Sequence, residues 1–152
     1  MSIEADIKQG KFSSEYQKLF INIAYTSSYL TSLLSTYLKP YGLSMQQYNV
    51  LRILRGQDPT PVSINSITDR MIDKMSNASR LVDKLHEKEL IERRRCETDG
   101  RQVDVLLSTK GKNTLTELDK IMPTFESGFH HIKEGEAKIL NQFLDRIRNI
   151  KT

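Results

Sequence analysis

Apolar residues recur along this chain in several separate stretches, each with its own spacing. The first stretch has a period near 3.6 residues, which predicts one long helix. We expect this helix to begin after Ser13 or Ser14, either of which suits an N-cap, and to end before Pro40 and Gly42. Residues 1–12 show no clear period, so a loose lead-in is expected there. The positions that carry the period are Tyr16, Phe20, Ile23, Leu30, Leu34 and Tyr37.

Two shorter helical patterns follow, at 44–54 and 63–71. Ser44 stands three residues before Gln47, which is the spacing of a capping box. The prolines at 59 and 61 separate the two helices, because neither can continue a helix. A third helix should follow, with Asp73 as its N-cap and an apolar side that contains Ala78, Leu81, Val82 and Leu85.

The pattern then changes to two strands, at 90–95 and 103–107. Between them Asp99 and Gly100 form a pair that strongly favours a tight hairpin turn. Arg101 would project from the tip, where a guanidinium can enter a minor groove, and Asp99 could hold it by an ion pair. Two helices followed by a basic hairpin predict a winged helix-turn-helix over residues 44–108.

The helix before the hairpin has a polar side whose residue types suit DNA. Asn and Arg can bond bidentately to adenine and guanine edges, and Ser can bond to bases or phosphates. Arg94 and Arg95 at the base of the hairpin are candidates for phosphate contacts. The alternative is an ordinary solvated helix face. The candidate residues on the helix are Ser76, Asn77, Ser79, Arg80 and Lys84.

Apolar stripes also run through 109–129 and 134–150, beyond the hairpin. We expect these terminal helices to pair with the first long helix, so that 13–40 and 112–150 form a dimerisation layer. The alternative is a central helix within one monomeric domain. The expected fold is therefore mainly α (α+β), a single domain over residues 1–152 with a winged helix-turn-helix and a helical dimerisation layer formed by the N- and C-terminal helices.

Composition narrows the class but does not decide the function. A chain of 152 residues that is 38% hydrophobic and 28% charged suits one globular domain. The net charge of +4 is compatible with a polyanionic partner, but charges of both signs are mixed along the chain. No apolar run approaches a membrane span, the first residues lack a signal-peptide pattern and there is one cysteine, so a cytoplasmic location is expected.

Three ordered motifs resemble the MarR family of bacterial transcriptional regulators. They are G-L-S-M-Q-Q-Y-N-V-L-R-I-L at 42–54, S-N-A-S-R-L-V-D-K-L-H-E-K-E-L-I-E-R-R at 76–94 and T-D-G-R-Q-V-D-V-L-L-S-T-K-G at 98–111. The resemblance implies a homodimeric repressor that binds a palindromic operator in double-stranded DNA. By position it makes Ser76, Asn77, Ser79 and Arg80 the contacts to bases and phosphates, and Asp99 with Arg101 the wing pair. Glu89 departs from the pattern, since the family often has Gly there.

The resemblance further implies a small aromatic or phenolic effector that binds between the dimerisation layer and the DNA-binding lobe and weakens DNA binding. Tyr25, Tyr29, Tyr48 and His86 are candidates to line its pocket, although each also suits ordinary packing. Cys96 lies beside three arginines that would favour its thiolate, yet we favour an incidental thiol over an oxidant sensor.

Enzymatic and metal chemistry find little support in the sequence. Glu126, His130 and Glu134 have a helical spacing, but we expect no metal site, no cofactor and no enzymatic activity, because no catalytic motif is present. A competing hypothesis is a winged-helix module that contacts protein instead of DNA.

Overall fold

The computed structural model describes residues 2–95 and 103–149, in which helices predominate over a small sheet. The structure confirms the expected mainly helical winged helix-turn-helix. Along the chain the elements are α1 (Ile3–Asp6), α2 (Glu15–Leu38), a 3-10 turn (Lys39–Tyr41), α3 (Met45–Arg55), β1 (Val62–Ser63), α4 (Ile64–Arg70), α5 (Ala78–Glu87), β2 (Ile91–Arg95), β3 (Val103–Leu107), α6 (Thr109–Ser127) and α7 (Glu134–Arg148).

The first long helix begins where its cap predicts. Ser14 Oγ accepts a hydrogen bond from the Gln17 backbone N–H at 3.1 Å, which satisfies a free donor in the first turn of α2. The expectation of a loose lead-in is wrong for the residues of α1. Ile3 is buried there, and Glu4 lies 2.6 Å from Lys18 of α2. A helix of four residues is too short to show a period, so only its contacts reveal it.

Side-chain caps also define the short helices of the lobe. Ser44 and Gln47 form the expected capping box at α3, and Ser63 Oγ caps α4 by accepting from the Ser66 N–H. The prediction that Asp73 caps the next helix is wrong. Asn77 is the cap of α5, because its Oδ1 accepts from the Arg80 N–H at 3.0 Å.

The sheet is antiparallel, with strand order β1-β3-β2. The predicted pair of strands is confirmed: β2 and β3 pair in the register that joins Ile91 to Leu107 and Arg95 to Val103. The two-residue strand β1 was not predicted, and it pairs Val62 with Val105. It ties the start of α4 to the wing.

The hydrophobic core lies inside the winged helix-turn-helix and extends to the C-terminal end of α2 and the first half of α6. In α7, by contrast, no residue is buried, although one side of the helix is apolar. None of the helices in the described ranges is long and apolar enough to cross a membrane. Fully buried side chains include Leu38, Val50, Leu51, Ile67, Val82, Leu85, Val105, Leu115 and Leu118.

Four segments meet at one point, which we call the Leu90 junction (Glu89, Leu90, Ser108 and Gly111). Helix α5 ends in a Schellman arrangement, with the Leu90 N–H donating to Leu85 O and the Glu89 N–H donating to His86 O. The Ser108 N–H donates to Leu90 O at 3.2 Å, and Ser108 Oγ donates to Glu89 O at 2.7 Å. The exit of α5, both wing strands and the start of α6 are thus fixed together.

Gly111 makes this junction possible, because it brings the backbone of α6 against the Leu90 carbonyl. A Cβ at Gly111 would lie 2.0 Å from Leu90 O, closer than any real contact of this kind. We expect Gly111→Ala to lower the free energy of unfolding by at least about 2 kcal/mol, since the clash is with backbone that cannot turn away. Urea unfolding followed by circular dichroism measures the change.

Gly135→Ala is the matched control for that substitution. Gly135 lies in the first turn of α7, and a Cβ there would meet no atom within 4 Å. Alanine is a better helix former than glycine by about 1 kcal/mol, so this variant should be neutral or slightly more stable. Equal losses in the two variants would contradict the close approach at Leu90.

Glu89 occupies the left-handed position that ends α5, with φ of 61°. This conformation costs an L-residue about 1–2 kcal/mol and costs glycine little. Glu89 also forms an ion pair with Lys110 at 3.0 Å, but both side chains are exposed, so the pair contributes little.

We therefore expect Glu89→Gly to melt about 2–4 °C above Glu89→Ala in a thermal scan. Both variants remove the carboxylate, so the comparison measures the backbone strain minus the larger conformational entropy that glycine loses on folding. A lower melting temperature for Glu89→Gly than for Glu89→Ala would contradict a strained left-handed position at Glu89.

Candidate nucleic-acid interface

Helix α5 separates sharply into a buried side and an exposed polar side. Ala78, Val82 and Leu85 pack into the core, which fixes the orientation of the helix. Three of the candidate DNA-contacting residues, Ser79, Arg80 and Lys84, are exposed on the other side, together with Asp83. The exposed side thus combines two cations and a small hydroxyl, which suits close approach to a polyanion.

Ser76 and Asn77 lie just before α5, not on it, because Asn77 is the N-cap. Oδ1 of Asn77 is used in the cap, so a base contact from this residue would use its amide Nδ2 group. Ser76 Oγ donates to Asp73 Oδ2 at 2.9 Å. This hydrogen bond is the main cause of the lowered pKa of the Asp73 carboxyl. A second bond, donated by the Met75 N–H, lowers that pKa further.

A polar cleft of about 350 Å³ lies between the start of α3 and the start of α5. Arg80 and Lys84 stand four residues apart, so their side chains share one side of the helix. No carboxylate lines the cleft itself, and the neighbouring Asp73 carboxylate is engaged by Ser76 Oγ and the Met75 N–H. The two cations therefore suit the cleft to a phosphate group. Its lining consists of Gln46, Ser76, Asn77, Arg80, Leu81 and Lys84.

Gln46 is the lining residue that sequence reasoning missed. It sits in the first turn of α3, whose position against α5 depends on core packing between the two helices. In the sequence, the only feature that distinguishes Gln46 is its position between the capping-box residues Ser44 and Gln47, which places it at the start of a helix.

The wing places its arginines in different surroundings. Arg93 forms an ion pair with Asp83, which ties the recognition helix α5 to strand β2. Arg94 Nη2 lies 3.3 Å from Glu92 Oε2, and both side chains are largely exposed. Arg95 is exposed at the end of β2, opposite Val103.

The hairpin tip expected to carry Asp99 and Arg101 lies outside the described residues, and so does Cys96. The wing pair and the thiol therefore remain expectations from the sequence.

Two polar contacts join the helices around this interface: one links α5 to α3 and the turn before it, and the other links α3 to α6. Lys88, at the C-terminal end of α5, donates to the Gly42 carbonyl oxygen and, at 3.0 Å, to Oε1 of the buried Gln47. Arg55 of α3 binds Asp119 of α6 through two bonds of 2.5 and 2.9 Å. That bidentate bond lowers the pKa of Asp119 and raises the pKa of Arg55. Neither contact was predicted, because each joins residues far apart in the chain.

A second, larger cavity is an apolar groove of about 680 Å³ between α2, the end of α6 and α7. Its floor includes the edge-to-face pair of Phe125 and Phe129, whose ring centroids are 5.5 Å apart. On α7 its lining residues are apolar, and all of them except the partly buried Ile147 are exposed. They are Leu140, Phe143, Leu144 and Ile147.

The four candidate effector residues do not line this groove. Tyr25 and Tyr29 are exposed on α2, outside the set of α2 residues that face the groove. Tyr48 packs against the core, and His86 Nδ1 lies 3.3 Å from Ile91 O. The described residues contain no cluster of three or more His, Cys, Asp or Glu able to hold a metal ion.

The winged helix-turn-helix and its exposed recognition helix define a MarR-like DNA-binding transcriptional regulator. Residues 32–118 match the family model described as transcriptional regulator SarA/Rot. The chain belongs to the SarA/Rot family of transcriptional regulators, whose members are regulators and not enzymes.

Individual relatives agree with this assignment. The HTH-type transcriptional regulator MgrA of Staphylococcus aureus is 28% identical over 109 residues, which is 72% of each chain. The organohalide-sensing regulator RdhR-CbdbA1625 superposes with a TM-score of 0.81, at 19% identity, over 93% of this chain and 86% of that one. A MarR-like regulator from Bacillus cereus superposes with a TM-score of 0.78, at 21% identity, over 88% and 96% of the two chains. The two superpositions support the fold.

Proposed function

We propose that two copies of this chain bind a palindromic operator as a homodimer and repress transcription in the bacterial cytoplasm. The observation that carries the DNA part is the exposed polar side of α5, on a helix whose opposite side is anchored in the core. Its N-terminal end, where recognition helices contact base edges, carries Ser76, Asn77 and Arg80.

Each part of the interface has a distinct task in this proposal. Arg80 contacts a base edge from the N-terminal end of α5, while Lys84 and the polar cleft hold the phosphate backbone. Arg94 and Arg95 approach the phosphates that flank the groove. For Asp99 and Arg101, at the wing tip, the support is the sequence motif alone.

For the homodimer, the support is the unpaired apolar surface of the terminal helices. Leu140 and Phe143 of α7 are about half exposed, and they border the apolar groove. A second copy offers the same apolar stripe, and a two-fold interface needs such self-complementary surfaces. We assign 13–40 and 112–150 to this dimerisation layer and 44–108 to the DNA-binding lobe.

We also propose that a small aromatic or phenolic effector weakens DNA binding. The support is the family resemblance, together with RdhR-CbdbA1625, which was solved in a 2,4-dichlorophenol-bound form. Such an effector must bind the DNA-incompetent arrangement more tightly, because equal affinity for both arrangements shifts neither population.

Selection of bound duplexes from a random DNA pool tests the central proposal. A palindromic sequence should be enriched, with half-sites about one helical turn apart. Repeating the selection with 2,4-dichlorophenol present tests the effector. If no sequence is enriched, DNA recognition is contradicted in favour of a protein-interaction module.

Arg80→Ala should weaken binding to the selected DNA by about 1–3 kcal/mol and should reduce discrimination at one base position in each half-site. Competition binding at fixed salt, with single-base variants of the DNA, measures both effects. Lys120→Ala is the control, because it removes one positive charge from α6, outside the interface. A loss that is the same for every sequence would make Arg80 a phosphate contact instead.

Leu140→Glu should raise the dimer dissociation constant at least about 100-fold, because the new charge would be buried in the dimer without a partner. Light scattering across a micromolar concentration series should show a monomer for this variant and a dimer for the parent chain. Gln142→Glu adds the same charge to α7 at a position outside the groove and should remain dimeric. A dimer in both variants would place the interface elsewhere.

A further inference from the structure

The turn between α4 and α5 exposes large apolar side chains in the middle of the polar interface. Met75 is 93% exposed and Ile72 is 72% exposed. In the described part of the chain, the other large exposed apolar residues lie on α2 and α7, in the turn after α6, and at Val103 of the wing. The proposed dimer interface therefore does not explain Met75.

The exposure of Met75 does not come from a loose turn, because hydrogen bonds fix the backbone on both sides. The Ile72 N–H donates to Asn49 Oδ1 of α3 at 2.9 Å. The Met75 N–H donates to Asp73 Oδ1 at 3.0 Å, and the Ser76 N–H donates to Asp73 O at 3.2 Å. These bonds fix the backbone of the turn, and the Met75 side chain, which is almost fully exposed, contributes little to the fold.

The surroundings of Met75 favour DNA over a protein partner. Met75 immediately precedes Ser76 and Asn77, which line the polar cleft, and the cations Arg80 and Lys84 line the same cleft. The nearby Asp73 carboxylate is already engaged by the Met75 N–H and by Ser76 Oγ. A protein-docking site would need a wider apolar patch than the two side chains of Ile72 and Met75 among polar and cationic neighbours.

We propose that Met75 contacts the 5-methyl group of a thymine in the major groove and thereby contributes to sequence specificity. The thymine methyl is the one apolar group on the major-groove edges of the four bases. Methionine suits this contact because its thioether side chain is flexible and polarizable. The inference rests on the proposed DNA-binding function. To that function it adds a contact residue outside the recognition helix and the base that this residue recognises.

Deoxyuridine tests the contact directly, since it differs from thymidine only by the missing methyl group. Each thymine of the selected operator is replaced in turn, and the affinities of the parent chain, Met75→Gln and Met75→Leu are measured by competition. For the parent chain, one replacement per half-site should weaken binding about three- to fivefold, as expected for one buried methyl group. Met75→Leu should keep this sensitivity, and Met75→Gln should lose it at that position only.

Binding without any thymine-sensitive position would overturn the Met75 contact and leave the proposed function intact. The same conclusion follows if Met75→Gln shows the same sensitivity as the parent chain. Failure to select any DNA would instead overturn the proposed function, and the contact with it. Circular dichroism spectra of both variants should match that of the parent chain, because the Met75 side chain is exposed.

Discussion

The contact of Gly111 with the Leu90 carbonyl is the constraint on which the arrangement of the lobe depends. There the recognition helix α5 ends, β2 begins, β3 has just ended and α6 starts. Because Gly111 has no side chain, the first turn of α6 approaches the Leu90 carbonyl while the Ser108 N–H bonds to it. The direction of the recognition helix is therefore fixed relative to the helix that leads into the proposed dimerisation layer.

Further contacts strengthen this rigid connection at other points of the lobe. Lys88 joins the end of α5 to the segment between α2 and α3, and Arg55 with Asp119 joins α3 to α6. Asp83 and Arg93 hold the recognition helix to the wing. If the chain dimerises through its terminal helices, the lobe then moves with those helices as one body. The spacing of the two recognition helices would then be set by the dimer interface.

Local patterns in the sequence predicted most elements of the fold. The period of α2, the capping box at Ser44 and the paired strands of the wing all depend on neighbours in the chain, and the structure confirms them. The predictions were wrong where contacts between residues far apart in the chain determine the local structure. Ile3 and Glu4 stabilise α1 through contacts, β1 exists only because β3 lies beside it, and Asn77 rather than Asp73 caps α5.

The candidate site was predicted in its residue types but not in its geometry. The motif located the polar side of α5. The roles of Gln46 in the cleft and of Lys88 in holding α5 to α3 become visible only once α3 is packed against α5. The sequence does not single out Met75, because the turn that carries it is positioned partly by the bond from the Ile72 N–H to Asn49 Oδ1, which joins residues 23 apart in the chain. The most direct measurement is the mass of the complex with the selected duplex, by sedimentation velocity. We predict two chains per duplex, and one chain per duplex at saturation would contradict the homodimer on a palindrome.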